Sequence, residues 1–178
     1  MLAYLLSFLT LMSSFLVDNN EIKYDKKLSL KEKSAAIGDV SNIYVDEFFN
    51  YYAIDSDSKK IFVFNTNGDL VKRIPKETTA KLFDDPVDLA VLKDGKIIVL
   101  DKGLKKIFIL NNDGEKISEL GNSGSALGNI DSPVQLEVDV FGNIFILDAG
   151  NSALLKFNEQ GLFRGAISIK NPLYFSVG

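Results

Sequence analysis

From residue 40 onward the chain alternates short apolar runs with polar breaks rich in Asp, Asn and Gly. In Pro86 to Leu120 the breaks fall at Asp94-Gly95, around Lys102-Gly103 and at Asp113-Gly114, dividing the stretch into four segments. Asp-Gly between apolar runs favours a tight hairpin, because Gly accepts the positive φ that primed turns require. The stretch therefore predicts a four-stranded antiparallel meander. Its middle strands, Lys96 to Leu100 and Lys106 to Leu110, are almost continuously apolar, as in strands buried on both faces.

The same pattern occurs three times. Val40 to Ile74, Pro86 to Leu120 and Pro133 to Ile167 superpose without a gap, placing Asp55, Asp101 and Asp148 at one position and Gly68, Gly114 and Gly161 at another. The period of about 46 residues points to stacked modules. Unit three turns at Phe141-Gly142 and Gln160-Gly161, with middle strands Ile144 to Leu147 and Leu154 to Phe157. Unit one turns last at Asn67-Gly68 but has Phe48-Phe49-Asn50 in place of its first Gly turn, and reads as the most divergent copy. Small sheets that are apolar on both faces must be packed between neighbours of their own kind. The expected fold is all-β: a β-propeller of four-stranded antiparallel blades. The blades are expected at 40–85, 86–132 and 133–171, with a fourth begun at 172–178. Pro86, Pro133 and Pro172 sit where first strands begin, a position at which a missing N–H is harmless.

In unit three, GNIFILDAGNSALLKFNEQG resembles the NHL-repeat pattern: a Gly-Asn turn, a strand ending in Asp, a Gly-Asn loop and a second strand closed by a turn Gly. The linking segment LGNSGSALGNIDSPVQLEVD is similar to that family's Gly-rich connector before a Pro-initiated inner strand. The resemblance covers residues 40 to 178 and implies a six-bladed propeller, of which this chain holds an incomplete set of about three blades. It departs from the family at Ala153, where a basic residue is usual, and at the first turn of unit one. A truncated piece of a larger propeller is the simplest expectation. A half-propeller that self-associates to complete the ring is the rival.

Residues 1–20 contain an uncharged run from Leu2 to Val17. As a helix it spans about 24 Å, short of the roughly 30 Å hydrocarbon core, and so suits a signal peptide better than a membrane span. No Lys or Arg precedes it and no clean cleavage site stands before Asp18, which keeps membrane anchoring by residues 2–17 as the alternative. Either way the expected location is extracytoplasmic: secreted, periplasmic or anchored at the outer face of the membrane. Residues 21–39 form an N-terminal segment in which Lys27 to Leu30 suits a closing outer strand.

Composition narrows the chemistry. A net charge of -4 supplies no electrostatic footprint for nucleic acid, and no such partner is expected. The chain has neither Cys nor His, which removes thiolate chemistry, the commonest general base and the commonest nitrogen ligand for metals. No catalytic residue, metal site or cofactor is expected. Asp55, Asp101 and Asp148 end second strands ahead of tight loops, where a short carboxylate accepts backbone N–H groups, so they read with Gly68, Gly114 and Gly161 as structural turn residues. Lys59-Lys60 and Lys105-Lys106 read as solvated edge charges.

Propellers bind at the rim carrying the blade connectors or in the central channel. On that ground Asp84, Asp85, Asn122, Ser123, Asn129 and Asp131 are candidate binding residues for a protein or a small ligand at the blade-connecting loops. Phe48 and Phe49, in the densest aromatic cluster, are candidates for contact with a partner or with blades outside this chain. The expected function is a binding or scaffold module without its own catalysis. The alternative is a portion of a propeller enzyme of lyase or lactonase type, with its catalytic and metal-binding residues in blades outside this chain.

Overall fold

The computed structural model describes residues 17–18, 21–22, 37–76, 81–121, 128–170 and 174–177. Two short antiparallel strands come first, β1 (Val17–Asp18) and β2 (Glu21–Ile22). The other expectations for the N-terminus, an apolar run beginning at Leu2 and a closing strand at Lys27 to Leu30, lie outside the described residues.

Three four-stranded antiparallel meanders follow, and no helix occurs among the described residues. Blade one is β3 (Val40–Val45), β4 (Tyr51–Asp55), β5 (Lys60–Phe64) and β6 (Leu70–Ile74). Blade two is β7 (Pro86–Val91), β8 (Ile97–Asp101), β9 (Lys106–Leu110) and β10 (Lys116–Leu120). Blade three is β11 (Pro133–Val138), β12 (Ile144–Asp148), β13 (Ala153–Phe157) and β14 (Phe163–Ser168). Within each blade the strands pair in chain order.

The apolar middle strands explain the stacking. Side chains alternate across a strand, so Ile97 and Val99 point to one side of blade two and Ile98 and Leu100 to the other. The first pair packs with Ile54, Ile61 and Val63 of blade one, the second with Ile144, Ile146 and Leu155 of blade three. Both middle strands of blade two are buried almost throughout. A blade is thus one layer of a continuous apolar stack. On the far face of blade three, the place held by Ile109 in blade two is taken by Lys156, whose ammonium lies 5.1 Å from the Phe145 ring.

The turn glycines serve this stacking as well as their own hairpins. Gly114 and Gly161 have φ of 81° and 78°, and each closes its turn by donating to the carbonyl three residues back. A Cβ at Gly114 would lie 2.7 Å from Ile74 of blade one, and one at Gly161 would lie 2.2 Å from Leu120 of blade two. Any other residue there would be strained by the positive φ and would force the Ile74 or Leu120 side chain to shift.

A second register device repeats on the inner strands. Their pairing slips between Val40 and Asn42, between Pro86 and Asp88, and between Pro133 and Gln135. The residue just past each slip reaches toward the next blade. The Asn42 amide donates to the Val87 carbonyl (3.2 Å) and to the Asp88 carboxylate (2.8 Å). Asp88 in turn accepts the Leu136 N–H at 2.7 Å. Gln135 holds the backbone of Phe175, donating to its carbonyl at 2.7 Å and accepting its N–H at 2.9 Å. Phe175 thereby takes the place that Leu136 occupies one blade earlier, although residues 174–177 form no strand.

Candidate functional site

The array has two rims of opposite character. On the connector rim, each second-strand aspartate is buried and ties the loop after its own strand to the segment leading into the same blade. Asp101 accepts N–H groups from Asp84 (2.7 Å), Asp85 (3.1 Å) and Leu104 (2.8 Å). Asp148 accepts those of Asp131, Ser132 and Asn151, plus the Asn151 amide. Asp55 accepts those of Gly38, Asp57 and Ser58.

Close approach at this clasp is bought by a missing side chain. A Cβ on Gly103 would lie 2.5 Å from the Asp84 carboxylate, and one on Gly150 would lie 2.3 Å from that of Asp131. Blade one reverses the arrangement, with Asp57 in the loop and Gly38 in the connector, where a Cβ would lie 2.5 Å from Asp57. Each clasp therefore holds one Asp and one Gly, and either strand of the clasp can carry either.

The connector candidates are largely engaged in this framework. The Lys81 ammonium donates to the Asp84 carboxylate at 2.6 Å and holds its pKa below the ordinary value. Asp85 lies 4.0 Å from Lys59, and Asp131 pairs with Lys105 at 2.6 Å, so each lysine reaches the connector of the next blade. The Asn129 carbonyl accepts the Asn151 amide. Asn122 and Ser123 lie outside the described residues. Among the described residues no group of three or more Asp or Glu is placed to hold a metal ion.

Phe48 and Phe49 are on the opposite rim, formed by the first turn of each blade. At this turn the missing Gly of unit one does not change the geometry: blades one and three match, and blade two differs. Asp46 accepts the N–H of Phe48 (2.9 Å), the N–H of Asn50 (2.8 Å) and the Asn50 amide (2.8 Å). Asp139 accepts the same three groups from Phe141 and Asn143, at 2.9, 2.9 and 2.7 Å. Phe49 stands where the other two turns have Gly and adopts their left-handed conformation, with φ of 60° against 83° at Gly95 and 77° at Gly142. Blade two has Leu92 and Lys96 at the clip positions and presents a charged Lys93-Asp94 turn between its neighbours.

The clips hold Phe48 and Phe141 out into solvent, at 68% and 79% exposure. Between them opens a cavity of about 510 Å³, walled by Tyr44 and Tyr52. The two tyrosines meet edge to face, and the Tyr52 hydroxyl donates to Asp46 at 3.2 Å. Burial, followed by the Asp46 charge, raises the Tyr52 pKa far above its ordinary value; burial raises that of Tyr44 too, with Asp46, Glu137 and Glu47 adding to it. Burial pushes the Asp139 carboxyl up, but the Asn143 amide and the N–H groups of Asn143 and Phe141 outweigh it and leave the pKa lowered. A second space, of about 480 Å³, runs along the inner strands past Asn42, Asp88, Gln135 and Tyr174. There burial raises the Asp88 pKa to about 6 against the N–H groups it accepts.

Sequence reasoning missed Phe141, Tyr44 and the cavity they share. The usable signal was the spacing Asp-x-Phe-x-Asn, present at 46–50 and again at 139–143.

No family model and no curated protein matches the chain. Solved structures do. A streptogramin B lyase superposes with a TM-score of 0.60 at 18% identity, covering 78% of this chain and 43% of that one. The WD40 repeats of RRP9 give 0.60 at 12% identity, with 78% and 40% covered. A putative exported protein of Bacteroides fragilis gives 0.59 at 15% identity, with 82% and 42% covered. The chain spans less than half the length of these structures. At such identities the likeness speaks for fold alone, and the neighbours include both a lyase and a repeat protein: the chain has an open β-propeller arrangement of three four-stranded antiparallel blades.

Proposed function

We propose that this chain is the ligand-binding part of a larger NHL-like propeller protein that works outside the cytoplasm and has no catalytic chemistry of its own. The observation that carries this reading is the turn-rim cavity, where two equivalent carboxylate clips hold Phe48 and Phe141 exposed on either side of a space of about 510 Å³. Isolated exposed apolar side chains are ordinary, but large ones gathered around a concavity mark interaction sites. The ligand therefore enters on the turn rim. The connector rim, whose carboxylates are already paired, acts as the frame. The uncharged run from Leu2 to Val17 supports export.

The test is a screen of peptides and small molecules against the 178-residue chain, read by backbone amide shifts. Ligands are expected to move the amides of 46–50, 92–96 and 139–143 and to lose that effect in the Phe48→Ser, Phe141→Ser double variant. Shifts confined to the Asp84 and Asp131 connectors would place the site on the wrong rim.

The likeness to a streptogramin B lyase favours a second reading, in which the chain is a portion of a propeller lyase. With no His in this chain, a His base or ligand for such an enzyme would come from other blades. A full-length protein with lyase activity that survives the double Phe substitution would favour it.

A further inference from the structure

We infer that the turn-rim cavity receives the guanidinium side chain of an Arg-bearing peptide segment from a protein partner, an inference that rests on the binding reading above. Five carboxylates line the cavity, those of Asp46, Glu47, Asp94, Asp139 and Glu159, against the single ammonium of Lys93. With Lys96, which pairs with Asp94, also counted, the cavity keeps an excess of negative charge.

These carboxylates do not all do the same thing. Asp46 and Asp139 are held by their own turns, and Lys96 pairs with Asp94. Glu47 and Glu159 are exposed and form no ion pair among the described residues, although Glu159 accepts the Gln160 amide and lies within electrostatic reach of Lys96. Their charges face a ligand with the least compensation. Phe48 and Phe141 line the same cavity, and an aromatic face attracts a cation placed over it. Arg suits such a site better than Lys, because a planar guanidinium stacks on a ring while still donating to carboxylates on its edge. A cavity of about 510 Å³ accommodates a side chain with part of its backbone. An anionic ligand would meet repulsion at the mouth, and a neutral apolar one would leave the acidic groups unanswered.

The experiment titrates the intact 178-residue chain with the capped peptide Gly-Arg-Phe-Arg-Gly, its citrulline counterpart, which keeps the shape but lacks the charge, and a Glu counterpart. Turn-rim amides report binding. The Arg peptide is expected to bind at least tenfold more tightly than the citrulline peptide, with the Glu peptide weaker still. Glu47→Gln with Glu159→Gln should weaken the Arg peptide about fivefold, the scale of two exposed ion pairs. Raising salt from about 0.05 M to about 0.5 M should do the same by screening. Both substituted side chains are exposed, so the variant retains the fold. Equal binding of the Arg and citrulline peptides at these amides would overturn the charge assignment and leave the binding module standing. Absence of shifts at the turn rim with every peptide would overturn both.

Discussion

Aspartate does opposite jobs on the two rims. At the connector rim Asp101 is fully buried and gathers three backbone N–H groups from two segments that are distant in sequence. At the turn rim Asp46 and Asp139 gather N–H groups only from the four residues that follow them, and the result is a displayed phenylalanine. Both are carboxylates accepting backbone N–H bonds. The difference is reach: a carboxylate bridging separate segments holds the blade closed, whereas one bonding within its own turn shapes a surface. A rim built the first way is stiff and has its polar groups engaged, and a rim built the second way is free to meet a ligand.

The widest gap between the rims is expected in stability. Asp101→Ala leaves three N–H groups without their acceptor and should cost about 3 kcal/mol or more, read as a lower denaturant midpoint. Phe141→Ser, on an exposed side chain, should stay within about 0.5 kcal/mol. Comparable losses from the two would erase the distinction.

A finer test concerns the exchange of Gly and Asp within the connector clasp. Gly38→Asp places a second side chain where blade one already has Asp57 and should destabilise by about 2 kcal/mol, through overlap and the repulsion of adjacent carboxylates. Adding Asp57→Gly rebuilds the form found in blades two and three, and thermal unfolding should recover most of the loss. A double variant no more stable than the single one would mean that the clasps are not equivalent.

A smaller loss than at the connector sites is expected at the turn-rim clip. Asp139→Ala should cost about 1 kcal/mol and free the Phe141 turn, seen as faster amide exchange at 140–143. Because the folded pKa of Asp139 is lowered, the clip contributes fully above the ordinary carboxylate value near 3.8 and is lost as pH falls through the folded value. Protection at 140–143, taken as exchange relative to the intrinsic rate at each pH, should therefore fall on acidification below about pH 4. Exchange that is insensitive to both changes would show that the turn holds itself without the carboxylate.

Much of the blade was legible because its signals are local. Strand β9, Lys106–Leu110, lies where the apolar run puts it, and β8 is displaced by one residue, to Ile97–Asp101, because Asp101 completes the ladder before turning into its loop. The site was legible only in part. Phe48 was visible as an aromatic cluster, but its partner Phe141 stands more than 90 residues later, in a turn that reads as an ordinary Phe-Gly hairpin. The connector carboxylates looked available because nothing nearby in sequence reveals that Lys105 meets Asp131 across a blade boundary.

What the sequence determined by itself is the blade: four strands, their order and their tight turns, since strand alternation and positive-φ turn chemistry act over a few residues. What only the tertiary structure decided is which rim is open. The cavity exists because blade stacking brings three first turns, a full repeat apart along the chain, around one space. That convergence depends on how apolar faces pack between blades, and no short stretch of the chain encodes it.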